Sequence, residues 1–163
     1  MVVQPHSLRG DLVKLLSLLI VACGMAVAPL ALAKSETCKA ASDKEIAALF
    51  DRWNASLKTG EPKKVVANYA TKSILLPTVS NKPRMTAAEK EDYFVHFLEK
   101  KPVGKIDFRS IEIDCNTAID AGLYTFSFSD GSTVKARYTY TYKWDGKEWL
   151  ITSHHSSAMP EKE

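Results

Sequence analysis

The apolar residues of this chain change their spacing at Pro102, and no single type of regular structure can serve both sides of the change. Before Pro102, bulky apolar side chains recur every three or four positions. After it they alternate: Tyr124, Phe126 and Phe128 against Thr125, Ser127 and Ser129, then Ala136, Tyr138, Tyr140 and Tyr142 against Lys135, Arg137, Thr139 and Thr141. A helix brings a side chain back to one face after about 3.6 residues and a strand after every second residue. Asp130-Gly131 and Asp145-Gly146 interrupt the alternation with the dipeptide that tight hairpins favour, and Asp120-Ala121-Gly122 is read as the remaining turn. The expected strands are therefore 105–117, 123–129, 134–144 and 149–156, a four-stranded antiparallel meander.

The first half reads as helices with defined ends. Ser42 and Glu45 form a capping box, Ile46, Leu49, Phe50, Trp53 and Leu57 follow at helical spacing, and Gly60 supplies a left-handed stop. Pro62 suits the first turn of a short second helix carrying Val65, Val66 and Tyr69. "SILLPT" is a brief strand ended by Pro77, and Thr86 with Glu89 opens a third helix through Tyr93, Phe94, Phe97 and Leu98 to Lys101. Three helices before an antiparallel meander predict an α+β domain with the helices packed on one face of the sheet. At 163 residues the chain is long enough for one such domain with a real core.

Residues 1–33 differ from the rest. Arg9 and Lys14 lead into "LLSLLIVACGMAVAPLALA", which ends at Ala31-Leu32-Ala33, the pattern of a signal peptide cut before Lys34. A variant reading makes "IVAC" a lipoprotein box with Cys23 as the lipidated residue and the membrane anchor. Either way the chain is expected to be periplasmic or secreted, with a short segment 34–41, a domain over 42–160 and a tail over 161–163. Cys38 and Cys115 survive cleavage, and an even pair in an exported chain predicts a disulfide. Closing a loop of roughly 75 residues, it would contribute about 4 kcal/mol in the chain-entropy model. Lys and Arg are dispersed and the net charge is +3, so a nucleic-acid surface is not expected.

The tail "WLITSHHSSAMP" concentrates the chemistry. His154 and His155 are adjacent and point to opposite faces of a strand, so they cannot chelate one metal, and no ligand-spaced partners accompany them. His96 reads as a core-margin residue of the third helix. No nucleophile motif or phosphate-cradling glycine loop is present, and Asp107, Glu112 and Asp114 read as solvated strand positions. No metal, cofactor or catalytic residue is therefore assigned. The Tyr138, Tyr140, Tyr142 and Trp144 stripe is more apolar surface than one helical layer is expected to cover, which predicts a second subunit on the outer sheet face.

In this order the elements resemble the nuclear transport factor 2-like, cystatin-like α+β cone. "EIAALFDRWNASLKTGEPKKVVANYA" is similar to the superfamily opening, an apolar helix ended by a glycine turn before a short second helix. "YTYKWDGKEWLITSHHSSAMP" is similar to the end of the association, or hub, domain of calcium/calmodulin-dependent protein kinase II and its stand-alone bacterial relatives. The resemblance covers 42–160. It implies a homo-oligomer with a pocket between helices and concave sheet, and no kinase activity. Two pocket arginines of the family fall on Thr139 and Ser156, with Arg137 as a substitute on the face of Thr139. His154 shares that pocket side, and His155 matches the family histidine. The pocket candidates are Trp53, Tyr69, Tyr93, Arg137, Thr139, His154 and Ser156; the oligomer-interface candidates are Tyr138, Tyr140, Tyr142 and His155. The expected function is binding of a small molecule or protein partner without evident catalysis. The alternative is a ketosteroid-isomerase-like or polyketide-cyclase-like enzyme, which a buried carboxyl beside a tyrosine hydroxyl would favour.

Overall fold

A computed structural model describes residues 37–160. The leader, the Ala33 cleavage site, Cys23 and the tail 161–163 lie outside the described residues. Helices α1 (Asp43–Leu57) and α2 (Pro62–Val66) precede strand β1 (Tyr69–Leu76) and helix α3 (Ala87–Glu99). Strands β2 (Val103–Asp114), β3 (Thr117–Ser127), β4 (Thr133–Trp144) and β5 (Trp149–Ala158) follow. The curved sheet has five strands in the order β1-β5-β4-β3-β2, with β1 parallel to β5 and the rest antiparallel. The meander is as expected, but the sheet gains β1, which begins at Tyr69. Tyr69 therefore belongs to a strand, because α2 ends at Val66.

Local chemistry sets the ends of these elements. Ser42 Oγ accepts the Glu45 N–H, while the Glu45 carboxylate turns to Lys39 and leaves the expected capping box half made. At α3 both halves of the box form between Thr86 and Glu89. Gly60 takes φ 69° after α1, and Gly131 (φ 81°) and Gly146 (φ 102°) lie in the hairpins as expected.

The expected turn at Asp120-Ala121-Gly122 is instead the middle of β3. The chain turns at Cys115-Asn116, where Asn116 adopts φ 58° and Asp114 pairs with Thr117. Gly122 answers a different need. A Cβ there would lie 2.0 Å from the Phe108 carbonyl oxygen, where the β2–β3 register shifts between Ile106 and Phe108. Cys38 and Cys115 are bonded, with Cα atoms 4.7 Å apart, and hold the segment before α1 to this turn.

Helix α1 lies in the concave face, where Ile46, Phe50 and Trp53 are buried against the strands. The tyrosine stripe faces them: Phe50 meets Tyr138 and Tyr140 with ring centroids 6.4 and 6.2 Å apart, and Trp53 meets Tyr140 at 5.9 Å. Tyr138, Tyr140 and Tyr142 retain at most 3 % exposure, so they are core and not an oligomer interface. The sheet curves around α1, and the three tyrosines of the stripe are covered within one copy, while Trp144 stays half-buried beside Trp149. Each such ring contributes on the order of 1.5–3 kcal/mol by leaving water.

Candidate functional site

Parallel pairing of β1 with β5 sets Leu75 beside His154 and Leu76 beside His155. Pro77 then follows the end of β1, and Thr78 comes to lie against β5. Thr78 Oγ1 meets Ser156 Oγ at 2.5 Å, and the Tyr124 hydroxyl of β3 donates to the same Ser156 oxygen at 2.6 Å. These three hydroxyls edge a cavity of about 70 Å³ whose other walls include Trp53, Leu75, Phe94, Phe126 and His154. Three hydroxyl protons serve two bonds, so one proton remains for a guest. Burial pushes the Tyr124 phenol well up, and it stays protonated at neutral pH. Tyr93, on α3, also lines the cavity; burial raises its phenol to about 12.

His154 is 4 % exposed and gripped on three sides. Its ring stacks on Tyr140 at 4.1 Å, meets the edge of Trp53 at 5.3 Å, and its Nδ1 lies 2.8 Å from the Tyr69 hydroxyl. Burial, with a smaller push from His155, lowers its pKa to about 3, so it is neutral at physiological pH. Nε2 has no hydrogen-bond partner among the described residues. Behind Tyr69, the buried Lys90 ammonium donates to the Ser73 and Met85 carbonyls and sits 5.8 Å from the Tyr69 ring centre.

Of the pocket candidates, Trp53, Tyr93, His154 and Ser156 line the cavity, and Tyr69 stands one shell back. Arg137 and Thr139 do not join them. Thr139 pairs with His155 and Arg137 with Ser157 on the outer face, because alternation along β4 turns them away from Tyr138 and Tyr140. His155 is exposed on that same outer face. The sequence reading missed Thr78 and Tyr124. Proline-terminated β1 was a visible signal for Thr78, but its contact with Ser156 needs the parallel β1–β5 pair.

The buried acid is Asp120, also missed because it was assigned to a turn. Arg109 Nε donates to its Oδ1 at 3.1 Å, Arg109 Nη2 lies 3.1 Å from Oδ2, and the Tyr138 hydroxyl donates to Oδ1 at 2.8 Å. Burial pushes its carboxyl up, against the pull of Tyr138 and Arg109. Neither Asp120 nor Arg109 lines the cavity. Among the described residues no group of three or more His, Cys, Asp or Glu side chains is placed to hold a metal ion.

Residues 42–160 match the calcium/calmodulin dependent protein kinase II association domain family. A solved Xanthomonas campestris protein assigned to that association domain is 48% identical, with a TM-score of 0.71, covering 78% of this chain and 99% of its own. The iota-carbonic anhydrase of a cyanobacterium, solved in complex with bicarbonate, has a TM-score of 0.69 at 20% identity, covering 80% of this chain and all of its own. An NTF2-like protein of unknown function from Pseudomonas putida has a TM-score of 0.66 at 17% identity, covering 78% and 93%. The likeness to these last two is one of fold. Among curated proteins none matches. The match across 42–160, with the Xanthomonas protein's identity over nearly its full length, places this NTF2-like chain in the calcium/calmodulin-dependent protein kinase II association-domain family.

Proposed function

We propose that the cavity binds carbon dioxide and bicarbonate and interconverts them. The observation that carries this reading is the hydroxyl triangle of Thr78, Tyr124 and Ser156 on an otherwise mostly apolar cavity of about 70 Å³. By the same measure a single water needs about 10–15 Å³, so the space takes a small guest of a few heavy atoms. It is far below the roughly 300–1,000 Å³ of pockets for larger ligands, which argues against steroid or polyketide substrates. Apolar walls suit carbon dioxide, and the spare hydroxyl proton suits an oxygen of bicarbonate. A fold neighbour crystallised with bicarbonate agrees in ligand class.

In hydration, a water oxygen forms a bond to the carbon of carbon dioxide while one C=O π bond opens. The negative charge grows on an oxygen that the hydroxyl triangle can stabilise, and the water loses a proton to bulk solvent, leaving bicarbonate. Oriented donors in a site screened from water are effective for such charge. Stopped-flow hydration by the purified protein, beside Ser156→Ala and Thr78→Val, tests this. Acceleration lost in both variants supports it. Bicarbonate binding without acceleration would support the binding-only reading expected from the sequence, and neither would reject both.

The same reading takes the protein as exported and self-associating. A bonded cysteine pair suits an oxidising compartment, and among the described residues no helix is long and apolar enough to cross a membrane. Intact mass from the native host should begin at Lys34; a lipidated Cys23 or an uncut Met1 would reject cleavage there. With the tyrosine stripe buried, the surface left for a partner copy is the outer face, where Phe108 and Ile119 are 60 % and 40 % exposed.

A further inference from the structure

We infer that Tyr69 is a positioning residue that holds His154 in the tautomer protonated at Nε2, so that the imidazole offers the cavity a hydrogen-bond donor and not a base. This deepens the carbon dioxide and bicarbonate reading and rests on it for the identity of the guest. The assignment comes from counting buried groups. Tyr69 is 7 % exposed, and among the described residues its hydroxyl has one hydrogen-bonded partner, His154 Nδ1 at 2.8 Å.

If Nδ1 carried the proton and donated to Tyr69, the phenol proton would be buried without an acceptor, and Nε2 would be a second orphan as a bare lone pair. If Tyr69 donates to Nδ1, the phenol proton is satisfied and Nε2–H is the single group left over. Leaving a buried polar group unpaired costs about 1–3 kcal/mol, so the second arrangement is preferred. One further observation agrees. Burial raises the Tyr69 phenol well above its ordinary value, which keeps it a donor.

The ring cannot turn to exchange its nitrogens freely, since Tyr140 lies against its face and Trp53 against its side. His154 is among the residues that line the cavity, so its buried Nε2–H is a second spare donor beside the hydroxyl proton left over by Thr78, Tyr124 and Ser156. Such a wall selects a guest rich in acceptor oxygens. It also means that the water proton released in hydration is not taken by His154.

The test is the imidazole nitrogen spectrum of the 15N-histidine-labelled protein near neutral pH, with the His154 signals identified by their loss in His154→Gln. The expected result is a protonated Nε2 and a bare Nδ1 in the unmodified protein. Tyr69→Phe, shown folded by circular dichroism, should lose that preference and weaken bicarbonate affinity about three- to tenfold, the worth of one neutral hydrogen bond. A native spectrum with the proton on Nδ1, or with both nitrogens protonated, overturns the inference, as does a folded Tyr69→Phe protein with an unchanged tautomer. If Tyr69→Phe does not fold, the native spectrum alone decides. An Nε2-protonated His154 in a protein that neither binds nor forms bicarbonate would sustain the tautomer and reject the proposed function.

Discussion

Two polar clusters sit inside the same apolar interior, and they differ in how completely their members are paired. Arg109, Asp120 and Tyr138 close on one another, with three contacts of 2.8–3.1 Å to a single carboxylate. Thr78, Tyr124, Ser156 and His154 use most of their donors and leave some over. The closed cluster lies away from the cavity and the open one edges it. In the closed cluster Asp120 Oδ2 lacks a hydrogen bond but keeps the Arg109 ion pair, whereas in the open one His154 Nε2 has neither among the described residues, and such a buried donor is costly unless something arrives to use it. The buried carboxyl beside a tyrosine hydroxyl that would favour an isomerase-like enzyme is present as Asp120 and Tyr138, with burial raising the carboxyl, but Arg109 bonds the same carboxylate and Asp120 does not line the cavity.

The contrast is broken most forcefully at the closed cluster. Asp120→Asn leaves the half-buried Arg109 without its counter-charge and is expected to destabilise the protein by about 3–5 kcal/mol in urea denaturation. A loss below about 1 kcal/mol would mean that this cluster is no more structural than the other.

Next in size is the response to acid at the open cluster. His154 stays neutral in the folded protein down to about pH 3, against an ordinary value of 6.5. Between those values the unfolded chain binds a proton that the folded chain refuses. The contribution is therefore complete above pH 6.5 and is lost as pH falls through that window, at up to about 1.4 kcal/mol per unit. Denaturation at several pH values should show a shallower dependence in His154→Gln than in the unmodified protein. Parallel curves would contradict the neutral, buried imidazole.

Ser156→Ala should cost only about 1 kcal/mol of stability, the worth of a hydrogen bond, while lowering carbon dioxide hydration by at least about tenfold. A variant that loses several kcal/mol instead would put the hydroxyl triangle among the structural networks. The smallest expected effect is on the outer face. Phe108→Glu should change stability by less than about 0.5 kcal/mol yet lower the mass seen by light scattering. An unchanged mass would move the contact between copies elsewhere.

Much of this protein was legible in its sequence because local rules are short-ranged. The switch to alternation at Pro102 marked the meander, the Thr86–Glu89 box opened α3, Gly60, Gly131 and Gly146 fell where positive φ is needed, and the paired cysteines met. What the sequence could not settle was phase. The β2–β3 register shifts between Ile106 and Phe108, which turns Arg109 inward to meet Asp120, and Gly122 serves that close approach and not a turn. The β4–β5 register shifts between Thr141 and Tyr142, so Ile151 and His154 both face inward although they are three positions apart. Strict alternation from Ile151 would have sent His154 outward and His155 to the core. A bulge inserts one residue and reverses every side chain beyond it. The pairing of β1 beside β5, which brings Thr78 to Ser156 and Tyr69 to His154, likewise joins residues 78 and 85 positions apart. The sequence determined which elements form, and its family resemblance put His154 on the pocket side, where it lies; the physical cause, and whose hydroxyl meets it there, was decided by strand order and a one-residue slip that no local pattern encodes.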